Sequence, residues 1–242
     1  MPKAFDQRWL LHVDASLLVL NKPAGLLSQP GLGPELSDSL LTRLQGPWPS
    51  AQLVHRLDQG TSGVLLVALT ADLHRALSRL FAERQVHKRY LADVEGVPQG
   101  SAGEIALPIA KRQHRPPLYG VHPEGKPCLT IWRLLEQGSG CSRLELEPRT
   151  GRSHQLRVHL QAIGHPIVGD PLYGQSRDRL HLHASRLAFR HPDSGQSLVF
   201  EAPCPFDLPP HERSSSGDCG PGLRRGLFHD PQLHSPGDQD PA

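Results

Sequence analysis

A chain of 242 residues, 37% of them hydrophobic, is long enough to bury a substantial core in one large or two small domains. It has no apolar run of membrane-spanning length, and its start, Met1-Pro2-Lys3-Ala4-Phe5-Asp6, lacks the apolar stretch of a secretion signal, so a cytoplasmic protein is expected. The net charge is only +2, but residues 207–242 hold six acids against three arginines, which leaves +5 on residues 1–206.

Taken in chain order, Leu17-Leu18-Val19-Leu20 reads as a strand, ended by Asn21-Lys22-Pro23 and a glycine-rich loop through Gly33. Strand Val64–Leu69 leads into a helix over 71–84, whose Leu73, Ala76, Leu77, Leu80 and Phe81 form one apolar stripe. Asp72 lies in its first turn, where a negative charge suits the helix dipole. Strands follow at Arg89–Glu95, Ile105–Ile109, Leu129–Leu135 and Arg143–Glu147. A second helix is expected over 153–163, with Ser153 as N-cap and Gly164 as its stop. Its Leu156, Leu160 and Ile163 would face the core, with His154, Arg157 and Gln161 on another side. Leu180–His183 and Ser197–Glu201 are the last strands. From Asp207 the composition turns to Pro, Gly, Ser and Asp, and a disordered tail over 207–242 is expected behind one domain of residues 1–206. Many strands with few helices, in no strict βαβ order, indicate an α+β fold with a mixed or antiparallel sheet.

Cys128, Cys141, Cys204 and Cys219 form neither a C-x-x-C pair nor a regular framework and read as reduced thiols. Basic residues cluster at Arg79–Arg89, Lys111–Arg115 and Arg143–Arg157, which suits either phosphate contact or a solvated face. Fifteen histidines raise the question of a metal. His181-Leu182-His183 puts two on one strand face, but no carboxylate or cysteine completes a zinc spacing, so no metal is expected.

The densest polar run is His55-Arg56-Leu57-Asp58-Gln59-Gly60-Thr61-Ser62-Gly63, set directly before the apolar strand at Val64. By chemistry alone it is either a site at a strand edge or a loop in which Asp58 caps backbone N–H groups. The run closely resembles the H-R-L-D-x-x-T-S-G signature of the RluA-type pseudouridine synthases. Five further segments match that family in the same order. Asn21-Lys22-Pro23-Ala24-Gly25-Leu26-Leu27 is similar to its N-K-P-x-G-L segment, and Lys88-Arg89-Tyr90-Leu91-Ala92 to its K-x-Y-x-A strand. Thr150-Gly151-Arg152-Ser153-His154-Gln155-Leu156-Arg157-Val158-His159 resembles its T-G-R-[ST]-H-Q-[IL]-R-x-H helix start. Gly164-His165-Pro166-Ile167-Val168-Gly169-Asp170, with Tyr173-Gly174, and Arg179-Leu180-His181-Leu182-His183-Ala184 complete the set. The resemblance spans about residues 9–206 and is to the short form of the family, without an N-terminal S4 domain. The tail has no counterpart in the family pattern.

The resemblance implies the pseudouridine synthase catalytic fold, a mixed, mainly antiparallel sheet with flanking helices and a central RNA-binding cleft. It implies an isomerase that breaks the N-glycosidic bond of a uridine and rejoins ribose C1′ to uracil C5. Asp58 takes the catalytic role, as a nucleophile at C1′ or as the base for the 2′-proton, a choice that residue types leave open. Arg157 would pair with that carboxylate and keep it ionised. Tyr90 would pack on the uracil and help remove the C5 proton. Arg56 would fill the space left by an extruded nucleotide. RNA contacts are expected from His55, Thr61, Lys88, Arg112, Arg115 and Arg152, although His55 also reads as a loop-bracing residue. The reaction is redox-neutral, so no cofactor is expected. The implied substrate is a uridine in a loop of large-subunit ribosomal RNA, with the anticodon stem-loop of some tRNAs as a second target, acted on by a monomer. Two rival readings are an inactive RNA-binding homologue and a hydrolase pairing Asp58 with Asp170. Asp170 sits in a G-D-x-x-Y-G turn that looks structural, and Asp58, Tyr90 and Arg157 all keep the family residue type.

Overall fold

A computed structural model describes residues 3–114 and 117–208, all within one unit. Arg115 and residues 209–242, which include Cys219 and nearly all of the expected tail, lie outside the described residues. In chain order the strands are β1 (Leu10–Val13), β2 (Leu17–Lys22), β3 (Gln52–Leu53), β4 (Ser62–Ala68), β5 (His87–Glu95), β6 (Ala102–Ile105), β7 (Ile109–Gln113), β8 (Leu118–Val121), β9 (Thr130–Gln137), β10 (Cys141–Pro148), β11 (Leu182–Arg190) and β12 (Ser197–Glu201). The α-helices are α1 (Leu40–Leu44), α2 (Ala71–Ala82) and α3 (Gln155–Ala162). One sheet runs β1-β2-β4-β11-β5-β10-β9-β6, with β3 paired to β4 and β12 to β11, while β7 and β8 form a separate hairpin. Among the described residues all pairings between these strands are antiparallel except β4 with β11, which meet in parallel at Ser62–His183 and Gly63–Ala184. The α+β fold expected from the sequence is the observed one.

Period-two alternation explains why both faces of the centre are covered. All seven residues of β4 are buried. Val64, Leu66 and Ala68 pack with Leu73 and Leu77 of α2, whereas Leu65 and Val67 pack with Leu40 and Leu44 of α1. Helix α2 starts where Thr70 accepts the Leu73 N–H, and Asp72 lies in its first turn as expected. Leu156 and Leu160 of α3 cover a third cluster with Ala92, Val94, Leu144, Leu146 and Leu182. The structure contains no helix, among the described residues, long and apolar enough to cross a membrane.

Three expectations are corrected. The strand expected at Ile105–Ile109 is two strands, β6 and β7, parted at Pro108, which has no N–H for a ladder and whose carbonyl accepts from His122. The strand expected at Leu180–His183 starts at Leu182 and runs on to Arg190. An irregularity between Ala184 and Arg186 shifts its register there and breaks the alternation that would have revealed the length. Helix α3 begins at Gln155, and His154, not Ser153, holds the cap position, with no side-chain cap bond. The side chain of Gln155 instead ties the helix start to the preceding loop and to β9, accepting from the Arg152 N–H and the Thr150 hydroxyl and donating to Leu129 and Thr130.

Candidate active site

Asp58 sits in the loop between β3 and β4, and the Asn21–Ser28 segment braces that loop from beneath. Ser28 Oγ donates to the Leu57 carbonyl at 2.7 Å and accepts the Leu57 N–H at 3.1 Å. The Gly25 N–H donates to the Gln59 carbonyl at 2.8 Å, and Gln59 returns a bond to the Gly25 carbonyl. Lys22 is fully buried, its Nζ donating to the carbonyls of Pro23, Leu26 and Gln59. Burial pushes its pKa down to about 7, against the pull of the Asp58 charge. With backbone satisfied on both sides, the loop is fixed and its carboxylate, 21% exposed, is turned to the cleft.

Opposite stands Arg157, on α3. Its Nη1 lies 3.5 Å from Asp58 Oδ2, so the expected pairing is present. Its tighter partner is another acid. Nε and Nη2 donate to the two oxygens of Asp170, each at 2.7 Å, in a fully buried bidentate pair. Burial opposes the charge of Arg157, but the bonds to Asp170 and the charges of Asp170 and Asp58 raise its pKa. Asp170 Oδ1 also accepts the N–H groups of Leu172 and Tyr173, which fixes the turn beyond it. That turn brings the Tyr173 ring under the guanidinium, 5.0 Å from its centre.

The cleft, about 300 Å³, is also lined by His55, Arg56, Thr61, Lys88, Tyr90, Arg152 and His154. The structure thus brings eight of the ten expected site residues to one place, with Asp58 and Arg157 among them. Tyr90 on β5 is half-buried, and burial, helped by the Asp58 charge, pushes its phenol pKa up. Lys88, two residues away on the same face, has its pKa lowered by burial. His55 stacks on Phe81 at 4.6 Å, and its Nε2 accepts the Leu66 N–H at 3.0 Å. Burial lowers its pKa to about 3, so it is neutral there. Arg56 is exposed, and Thr61 is buried, closing the turn through its N–H to the Asp58 carbonyl.

Arg112 is exposed on β7, away from the cleft lining, and Arg115 lies outside the described residues. The β7–β8 hairpin does reach the site, because the Tyr119 N–H donates to Tyr173 Oη and the Tyr119 ring packs on His154. A second groove of about 530 Å³ shares Phe81, Lys88, Pro148, Thr150, Gly151 and Arg152 with the first. It adds the cations Arg84 and Arg149. His181 and His183 serve different partners: His181 Nδ1 lies 2.9 Å from Asp93, and His183 contacts Ser62 and the Ala202 carbonyl. Among the described residues no three of His, Cys, Asp and Glu converge on a possible metal position.

Reasoning from the sequence missed Asp170, His154, Tyr173 and Lys22. Lys22 carried a readable signal, since a lysine that ends an apolar strand needs buried partners. A carboxylate flanked by a guanidinium, with a neutral phenol and a cationic rim above it, can act on a sugar and hold an anionic strand.

Comparison with known proteins gives the same reading. A family model described as RNA pseudouridylate synthase matches residues 16–162. The dual-specificity RNA pseudouridine synthase RluA of Escherichia coli K12 is 45% identical over 210 residues, covering 83% of this chain and 96% of the relative. That of Yersinia pestis is 43% identical over 204 residues, covering 81% and 99%. Among solved structures, human RNA pseudouridylate synthase domain containing 1 is similar, with a TM-score of 0.70 and 33% identity over 81% of this chain and 83% of that one. Human RNA pseudouridylate synthase domain containing 4 gives 0.67 and 28% over 82% and 89%. With six ordered motifs, a family model spanning most of the fold and relatives aligned nearly end to end, the chain belongs to the RNA pseudouridylate synthases of the RluA type, isomerases that convert uridine to pseudouridine in RNA.

Proposed function

We propose that this protein isomerises particular uridines in structured loops of large-subunit ribosomal RNA and in the anticodon stem-loop of tRNA, with Asp58 as its catalytic carboxylate. The observation that carries the reading is the 3.5 Å approach of Arg157 to Asp58 at an open cleft rimmed by cations. The words "dual-specificity" in the name of the Escherichia coli relative favour two RNA classes.

In this reading a uridine leaves its stack, which costs a few kcal/mol, and Arg56 occupies the vacated space. Asp58, faced by the Arg157 guanidinium, acts at the ribose, either on C1′ or on the 2′-proton, and the C1′–N1 bond breaks. The uracil turns in the cleft, C1′ bonds to C5, the C5 proton departs and N1 gains one. Electrons balance without an oxidant, so no cofactor takes part. The Tyr90 ring packs on the uracil. Its raised pKa disfavours a resting phenolate, so its share in removing the C5 proton is secondary to packing. Lys88 and Arg152 hold phosphates at the cleft, Thr61 borders it, and Arg112 and Arg115 hold RNA further out. His55 contributes through the loop it braces. The enzyme works as a monomer in the cytoplasm.

Mapping pseudouridines in RNA from cells with and without the protein tests the substrate. We expect sites to vanish from both large-subunit rRNA and tRNA. Unchanged rRNA would remove that substrate, and unchanged tRNA the other.

A further inference from the structure

His154 stands at the start of α3 with φ +56, in the left-handed region that L residues seldom adopt. Its imidazole is one of the groups that line the cleft. Two tyrosines hold the ring edge-on, Tyr119 at 5.0 Å and Tyr173 at 5.6 Å between centroids.

The hydrogen bonds around the ring favour one tautomer. Tyr173 Oη accepts the Tyr119 N–H at 3.0 Å, and it lies 2.8 Å from His154 Nδ1. With an amide already donating to that oxygen, the phenol proton is placed to go to Nδ1, which puts the imidazole proton on Nε2. Burial keeps the ring neutral in spite of the Asp58 carboxylate nearby. Nε2 lies 3.9 Å from Asp58 Oδ2, the same oxygen that Arg157 Nη1 approaches at 3.5 Å. Neither contact is a hydrogen bond at these distances, and contacts of this kind shorten when substrate closes a site.

We propose that His154 is a positioning residue for Asp58: with RNA bound, its Nε2–H donates to Oδ2, so that His154 and Arg157 hold that oxygen between them and Oδ1 faces the ribose. Tyr173 fixes the tautomer that permits this. The inference rests on Asp58 being the reactive carboxylate.

Two substitutions separate geometry from shape. Asparagine tolerates the left-handed backbone, but its amide reaches only as far as Nδ1, whereas the amide of glutamine reaches the place of Nε2. Single-turnover rates and RNA affinities are measured for His154→Asn, His154→Gln and Asp58→Asn on one uridine-bearing stem-loop. We expect His154→Asn to slow the reaction by about thirtyfold with affinity within about threefold, and His154→Gln to recover to within about fivefold of the parent. A parent-like rate in His154→Asn, or equal loss in both His154 variants, overturns the inference. Nitrogen-15 NMR of the free protein gives a second readout: a protonated Nε2 supports the proposal, and a protonated Nδ1 overturns it. If Asp58→Asn is inactive while His154→Asn is not, only the role of His154 falls. If Asp58→Asn is active, the assignment of the carboxylate itself falls.

Discussion

Arg157 serves two carboxylates, and the one that binds it more tightly is not the one proposed to react. Asp170 takes both oxygens into a buried pair, which leaves Nη1 directed at Asp58. Removing one partner of such a pair leaves a charge uncompensated, so Asp170→Asn should cost about 3–5 kcal/mol of stability, read from denaturant unfolding, and should also lower the isomerisation rate. Parent-like stability would contradict this account of the pair. His55 gives a prediction in pH. Its folded pKa of about 3 lies below the unfolded value near 6.5, so the unfolded chain binds the extra proton first. Stability should be full above about pH 6.5 and fall as the pH drops toward 3, with His55→Gln showing a shallower fall. A parent chain equally stable at pH 7.5 and 5 would contradict it. Asp58, Tyr90 and Arg157 were legible as residues because their motifs are long. The place of Asp170 was not, since its turn reads as local while its charge partner lies thirteen residues back. His154 was hidden for another reason. Side-chain direction there depends on a left-handed φ, and Ser153 is the better N-cap by residue type.

At the scale of elements, the site depends on the parallel junction of β4 with β11. Gly63 has φ +115, and a β-carbon there would collide with the backbone of Ala184. Gly63→Ala should therefore destabilise the fold by more than about 2 kcal/mol and move the Asp58 loop, five residues away, with a loss of rate. A variant that melts and turns over like the parent would contradict this. The two long helices and most central strands were legible from apolar periodicity. The β7–β8 hairpin, the short α1 and the true length of β11 were not. Hairpin residues such as Lys111 and Arg112 lie exposed with no apolar alternation, α1 is barely more than one turn, and the register shift after Ala184 interrupts the pattern in β11.

At the scale of the molecule, the cleft opens beside the groove that carries Arg84, Arg149 and Arg152, an expected track for RNA phosphates. Net charge concealed this, because the acids of residues 207–242 offset it. Arg84→Ala combined with Arg152→Ala should weaken RNA binding and reduce the slope of log affinity against log salt by about 1.4, two single-strand phosphate contacts. An unchanged slope would show that the RNA lies elsewhere. The central claim is tested most directly by supplying the purified protein with large-subunit rRNA and tRNA stem-loops tritiated at uridine C5. The parent should release tritium in step with pseudouridine formed, and Asp58→Asn should release none while binding RNA within about tenfold of the parent. Release by Asp58→Asn at a rate near the parent's would contradict the account.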